Sequence, residues 1–155
     1  MPALTGYSQA FHSDTSGTAS AREVALGTRA LDAAGNEYVY AKGTASVTTD
    51  TWVTFDEDWN VTRAVADGQG RVGIAMSDNP LSSFGWYQVY GKARGTVLAS
   101  FADNGKVFLT STAGSVDDAD VAGDFVVGAI GRSAVVSGSA TMELNYPIVQ
   151  DVALD

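Results

Sequence analysis

The 155-residue chain has no cysteine and a single histidine, His12. The absence of cysteine excludes a disulfide, a thiolate nucleophile and a cysteine metal site. Three-histidine zinc centres are excluded as well, and a histidine-based triad lacks its partners, so we interpret His12 as a solvated residue. No apolar run approaches the ~20 residues that span a bilayer. The opening "MPALTGYSQAFHSD" lacks the basic and apolar parts of a signal peptide. We therefore expect a protein that uses neither an export signal nor a membrane.

Basic residues are also few. The chain has 18 acidic and 9 basic residues and a formal net charge of −9. Such a balance keeps a protein soluble and opposes direct contact with nucleic acid. The nucleophile-elbow pattern G-x-S-x-G does not occur. "GWYQVYGKA" fails as a phosphate loop, because five residues separate Gly85 from Gly91 and Ala93 stands where serine or threonine is needed. We expect no cofactor and no enzymatic activity.

Two acidic segments, residues 56–67 and 117–124, are candidates for calcium binding. Positions 1, 3, 5 and 12 of a calcium loop would be Asp56, Asp58, Asn60 and Asp67. Val61, however, stands where that loop requires glycine, and aspartate is shorter than the usual bidentate glutamate. The second segment contains Asp117, Asp118, Asp120 and Asp124. We interpret both segments as solvated acidic turns.

Short runs of β-branched and aromatic residues separated by turn residues follow from Glu37 onward. The clearest runs are "EYVYAKG", "TASVTTDTWVTFD", "RVGIAM", "GWYQVYGKARGTVLASF", "KVFLTST", "DFVVGAIG" and "SAVVSGSATMELNY". They predict an all-β fold, a compact β-barrel or β-sandwich of about eight to ten short strands. Asp-Asn-Gly at 103–105 predicts a hairpin between "TVLASFA" and "KVFLTST". Pro147 is predicted to end the last strand, since proline cannot donate to a sheet ladder.

The first 34 residues differ from the rest. They are rich in serine, threonine, alanine and glycine, and their apolar residues follow no sustained period of two. We expect residues 1–34 to form an extended N-terminal arm and residues 35–155 to form a single β domain. Tyr7 and Phe11 are the aromatic residues of the arm that are candidates for protein contact.

The segment "FGWYQVYGKARG", residues 84–95, lies within an acid-free stretch between Asp78 and Asp103. A strand here would separate into two faces. One face would carry Tyr87, Val89, Gly91, Ala93 and Gly95, which suit a core. The other would carry Trp86, Gln88, Tyr90, Lys92 and Arg94. Aromatic residues and arginine are enriched in protein contacts, so these five residues are candidates for a protein-binding face. The alternative is that Trp86 and Tyr90 pack inside the domain, as large aromatic residues usually do.

The order of several of these runs resembles that of a known group of proteins. "NEYVYAKG", "TWVTFDEDWNVT", "GRVGIAM", "GWYQVYGKARGTVLAS", "FLTSTAGSVDD" and "GAIG", over residues 35 to 131, resemble small structural proteins of tailed bacteriophages. These are capsid decoration, or cement, proteins and related head-associated proteins. The resemblance implies a compact β-barrel-like domain, often trimeric, that is made in the host cytoplasm. It would lie on the exterior of the virion capsid and bridge neighbouring copies of the major capsid protein.

A carbohydrate-binding or adhesion module on a virion appendage is the alternative. Exposed aromatic rings on a β-sheet can stack on sugars, and acidic turns can hold calcium. A hydrolase built on paired carboxylates is a third hypothesis, although no activating arrangement is visible in the sequence.

Overall fold

The computed structural model describes residues 22–120 and 124–151. The described part consists of β-strands joined by turns and contains no helix, which confirms the all-β prediction. Tyr7 and Phe11 lie outside the described residues. The described part contains no helix that could span a bilayer. The ten strands are β1 (Arg29–Leu31), β2 (Glu37–Gly43), β3 (Trp52–Phe55), β4 (Asn60–Arg63), β5 (Gly70–Ala75), β6 (Phe84–Thr96), β7 (Lys106–Leu109), β8 (Val116–Asp117), β9 (Asp124–Gly131) and β10 (Ser139–Asp151).

Five of these strands close into a ring. β2 pairs with β4, β4 with β3, β3 with β5, β5 with β6, and β6 with β2 again. Closure removes the free strand edges that an open sheet would leave. The β2–β4 pair is parallel and the other four pairs are antiparallel. The ring encloses a first core made of Val39, Ala41, Val47, Val53, Phe55, Val61, Ala75, Tyr87 and Val89.

A second core lies on the other side of β3 and β5. The second half of β6 pairs with β10, β10 with β9, β9 with β7, and β7 with β8. This extension covers the outer faces of β3 and β5, because successive strand residues point to opposite faces. Trp52 and Ile74 therefore join the second core, whereas Val53 and Ala75 join the first. β3 and β5 form a wall shared by both cores.

Gly91 lies where β6 passes from one core to the other. Tyr87 and Val89 belong to the first core, and Ala93 belongs to the second. Gly91 has a φ of +93°, a backbone conformation that a residue with a Cβ adopts only at a cost. β6 is thus one bent strand of 13 residues.

The prediction of a hairpin at residues 103–105 is wrong. A turn does form, since Asn104 has a φ of 58° and the amide of Gly105 donates to the carbonyl of Ala102 at 3.2 Å. β7, however, pairs with β8 and β9, and residues 97–102 belong to no strand. Asparagine and glycine favour the local turn, but they do not select the strand that β7 pairs with.

The prediction that Pro147 ends the last strand is also wrong. β10 runs on to Asp151, and its register with β9 shifts between Leu144 and Ile148. Pro147 lies within this irregularity, where it does not have to donate to the ladder. The residue before it, Tyr146, has a φ of 48°. The irregularity thus places an aromatic side chain in a left-handed backbone conformation.

Candidate functional site

The first half of β6 is enclosed by the chain itself. Trp86 is 7% exposed, and its ring centroid lies 5.0 Å from that of Tyr40. Val24 and Leu26 pack against the same cluster. Gln88 is 2% exposed, and its amide donates to the carbonyls of Tyr90 and Lys92, each at 3.0 Å. Trp86 therefore packs inside the fold, which is the alternative given in the sequence analysis. The Gln88 side chain fixes the bend of β6.

The second half of β6 carries the other three candidates, Tyr90, Lys92 and Arg94, on the surface. Tyr90 is 40% exposed. Arg94 makes an ion pair with Asp50, Nε to Oδ2 at 3.2 Å. Among the described residues no carboxylate lies within 4.0 Å of the Lys92 ammonium. The five residues predicted to form one face are thus divided, with two inside the fold and three on its surface.

Tyr146, which sequence reasoning missed, completes this surface. Its ring centroid lies 5.2 Å from that of Tyr90, with the two planes tilted by 31°. Tyr146 is 50% exposed, and its hydroxyl donates to Glu37 Oε2 at 2.6 Å. This hydrogen bond raises the pKa of the Tyr146 phenol. The irregularity in β10 turns the Tyr146 ring toward Tyr90. A strict alternation of faces along the strand does not predict this orientation.

Two arginines and a tryptophan continue the surface at the mouth of the barrel. The guanidinium carbon of Arg71 lies 3.8 Å from the Trp59 ring centroid, and that of Arg29 lies 5.7 Å from the ring centroids of both Trp59 and Tyr146. Cation–π contacts of this kind hold the guanidinium groups in place. The side chains surround a cavity of about 30 Å³. Ile148, paired with Arg71 and 47% exposed, lies beside it.

These residues together form the Tyr90–Tyr146 surface, which comprises Arg29, Trp59, Arg71, Tyr90, Lys92, Tyr146 and Ile148. Its exposed rings and cationic side chains are groups suited to binding. Rings that are half exposed and backed by arginine are typical of contacts between proteins.

Three carboxylates beside this surface are already paired with arginines. Glu37 Oε1 contacts Arg29 Nη1 at 2.9 Å, and Asp50 contacts Arg94. Glu143, opposite Lys92 in the β6–β10 ladder, contacts Arg132 Nε at 2.8 Å. These are the three ion pairs found among the described residues. Arg71 and Lys92 make no such ion pair there, although the Arg71 charge lowers the pKa of nearby Asp56, and we call these two residues the surplus cations of the surface.

The first calcium candidate is a hydrogen-bonded turn. Asp56 Oδ1 accepts from the amides of Asp58 and Asn60 at 2.9 and 2.8 Å, and Oδ2 accepts from the Asn60 side chain at 2.8 Å. Burial tends to raise the pKa of Asp56, but these hydrogen bonds and nearby Arg71 outweigh it and lower the pKa. β4 begins at Asn60, inside the supposed loop. Asp56 therefore serves the turn between β3 and β4.

The second acidic segment is also used internally. Asp118 Oδ2 accepts from the Ala102 amide at 3.0 Å, and Asp124 Oδ2 accepts from the Asp67 amide at 2.7 Å. Residues 121–123 lie outside the described part. Within residues 22–120 and 124–151, no group of three or more histidine, cysteine, aspartate or glutamate residues is placed to hold a metal ion.

Comparison with known proteins adds no family to this description. A scan against protein-family models finds no match. A search of curated proteins finds no match either. The interpretation of the Tyr90–Tyr146 surface therefore rests on its own geometry.

Proposed function

We propose that this protein is a non-enzymatic phage structural protein that decorates and stabilises the capsid by bridging neighbouring copies of the major capsid protein. It would lie on the exterior of the virion, as the resemblance in the sequence implies. The observation that carries the proposal is the exposed ring pair of Tyr90 and Tyr146, backed by Arg29. Tyrosine and arginine are the residues that most often dominate the binding energy of protein contacts.

The proposed activity needs nothing beyond binding. A ligand that favours the assembled shell over its free subunits stabilises the shell by linkage. Many symmetry-related copies multiply a modest affinity when the geometry lets them engage together. A homotrimer, which the resemblance implies, would present three Tyr90–Tyr146 surfaces at once. The native mass of the free protein tests that part of the proposal.

The test is co-sedimentation of the protein with empty, expanded capsids from the same source. Wild type should bind saturably and at a fixed ratio to the major capsid protein. Tyr90→Ser combined with Tyr146→Ser should weaken binding by at least about tenfold, because the two rings would form the centre of the contact. Thermal melting of the double variant shows whether the domain is still folded.

A matched control removes two exposed apolar side chains elsewhere. Leu81 is 60% and Val136 is 70% exposed, and neither belongs to the Tyr90–Tyr146 surface. Leu81→Ser combined with Val136→Ser should leave capsid binding unchanged. Equal binding by the tyrosine variant and this control would refute the role of the rings, and no binding by wild type would refute decoration itself.

Carbohydrate binding is the second candidate, and one groove favours it. Beside the Asp56 turn lies a groove of about 270 Å³ lined by Thr44, Thr54, Phe55, Asp56, Asn60, Thr62 and Gln69. Hydroxyl, amide and carboxylate groups of this kind hydrogen-bond to sugar hydroxyls. This candidate would be supported if the wild-type protein bound to a glycan array but not to capsids, and if Thr62→Val reduced the binding to glycans. Capsid binding without glycan binding would exclude it.

A further inference from the structure

The surplus cations flank the ring pair on the Tyr90–Tyr146 surface. Lys92 follows Tyr90 by two residues, across the bend of β6 at Gly91, and both residues are exposed. On the other side, Arg71 and Tyr146 line the same cavity at the barrel mouth. The two tyrosines thus lie between a positive charge from Lys92 and a positive charge from Arg71.

The Arg71 side of this arrangement is held in place. Arg71 stacks on Trp59 and donates to the Asp56 carbonyl at 3.1 Å. Trp59 itself has a φ of 62°, in the left-handed region that favours glycine. Stacking leaves the edge of a guanidinium, where its other N–H donors lie, available to an incoming acceptor. An ordered guanidinium binds a carboxylate with less loss of side-chain entropy than a free one.

The charge of these two side chains contrasts with that of the molecule. The chain carries −9 in total, yet three carboxylates bordering this surface are paired with Arg29, Arg94 and Arg132, and that of Asp56 accepts the three hydrogen bonds of its turn. Acidic groups elsewhere are screened beyond about 10 Å at moderate ionic strength. Arg71 and Lys92 therefore determine which charges a partner can place beside the rings, and negative charges fit.

We infer that the Tyr90–Tyr146 surface binds a protein segment that carries an apolar side chain between two carboxylates. The apolar side chain packs on the rings of Tyr90 and Tyr146, while the carboxylates contact Lys92 and Arg71. In an extended segment, side chains on one face recur every second residue, about 7 Å apart. The corresponding pattern is acid-x-apolar-x-acid. This inference rests on the proposed function only in that the surface binds a protein.

Tryptophan fluorescence provides a local readout. Trp52 is 0% and Trp86 is 7% exposed, whereas Trp59 is half-buried and lies on this surface. The probes are three end-capped peptides, Asp-Ser-Leu-Ser-Asp, Lys-Ser-Leu-Ser-Lys and Asp-Ser-Ser-Ser-Asp, together with a short DNA duplex. The first peptide should change the emission and bind at least about tenfold more tightly than the other two peptides and the duplex. Equal or tighter binding of the lysine peptide or of DNA would overturn the inference.

Charge reversal at two lysines supplies the matched pair of variants. Lys92→Glu should reduce binding of the acidic leucine peptide by about tenfold or more. Lys106→Glu makes the same change in net charge on β7, which β10 and β9 separate from β6, and Lys106 is paired there with Ile130. It should bind the peptide as wild type does. Indistinguishable affinities of the two variants would contradict the inference.

The same pair of variants separates this inference from the proposed function. Capsid binding that is weakened by Lys92→Glu and retained by Lys106→Glu supports both. Capsid binding retained equally by both variants refutes the acidic partner segment and leaves decoration standing. Selective binding of the acidic peptide without any binding to capsids supports the partner chemistry and refutes decoration.

Discussion

Two turns of the chain share one hydrogen-bonding pattern but carry different residues at the left-handed position. Asp32 accepts from the amides of Ala34 and Asn36 and from the Asn36 side chain, as Asp56 does with Asp58 and Asn60. The fourth residue is left-handed in both turns, with a φ of 86° at Gly35 and 62° at Trp59. Glycine adopts this conformation freely, whereas tryptophan adopts it at a cost of about 1 kcal/mol or more. Contacts of the indole with Phe55 and Arg71 offset that cost.

Gly91 combines this backbone requirement with a lack of space. A Cβ at Gly91 would collide with the side chain of Asn36, whose Oδ1 accepts from the Lys92 amide at 3.0 Å. We expect Gly91→Ala to lower the free energy of unfolding by about 3 kcal/mol, measured by chemical denaturation, because steric conflict adds to the backbone cost.

Gly35→Ala is the matched control for this prediction. Gly35 also has a positive φ, of 86°, but nothing lies within 4 Å of the position of its Cβ. We expect a loss of about 1 kcal/mol, from the backbone alone. Equal losses for the two variants would show that Asn36 moves aside freely.

At the level of single residues, the sequence predicts which side chains share a face but not which faces are covered. Alternation along β6 correctly groups Tyr87, Val89 and Ala93 as core residues. The same alternation cannot show that residues 24–40 cover Trp86, since that contact joins distant parts of the chain. Tyr146 was missed for the related reason that an irregular strand breaks the period of two.

At the level of elements, the turn between β3 and β4 depends on one carboxylate. Asp56→Ala removes the acceptor for three hydrogen bonds. We expect the variant to lose about 1 to 2 kcal/mol of stability in urea denaturation. Hydrogen exchange should rise first in the amides that join Val53 to Arg63 and Phe55 to Val61, the register of this hairpin.

Asp58→Ala is the appropriate comparison, since Asp58 enters the turn through its backbone amide. Its stability should stay within about 0.5 kcal/mol of wild type. A loss as large as that of Asp56→Ala would mean that general acidity of the segment, rather than the Asp56 hydrogen bonds, maintains the hairpin.

Strands were easier to predict than their pairing. "EYVYAKG" and "DFVVGAIG" coincide with β2 and β9 because each combines β-branched residues with flanking turns. β4 was missed because its four residues lie in an acidic segment that suggested a loop. Its pairing, parallel to β2 and antiparallel to β3, depends on contacts that no local pattern encodes.

At the level of the whole molecule, stability should depend on alkaline pH through a core tyrosine. Burial raises the pKa of Tyr87 to about 12, although the hydrogen bond from Asn79 lowers it. The phenol in the unfolded chain titrates near 10. The contribution of Tyr87 to the free energy of unfolding is therefore complete below about pH 10. It falls by about 3 kcal/mol as the pH rises toward about 12.

Tyr87→Phe tests this contribution. Denaturation at a series of pH values should give a shallower alkaline decline for the variant than for wild type. Some decline should remain, because the pKa values of Tyr38 and Tyr146 are also raised. The comparison concerns the slopes of stability against pH and not the stabilities themselves, because the substitution also removes the hydrogen-bond partner of the buried Asn79 side chain. Parallel curves would disprove the assignment to Tyr87.

The wall shared by the two cores has a consequence for the order of folding. β3, β4 and β5 are joined by short turns, so their contacts close small loops and can form early. Neither core is complete until β6 arrives, and its pairs are remote in sequence, with Tyr38 opposite Gln88 and Ala140 opposite Gly95. Closure of these long loops should limit the folding rate. Since both cores pack on one wall and share one closing strand, they should form in a single kinetic phase.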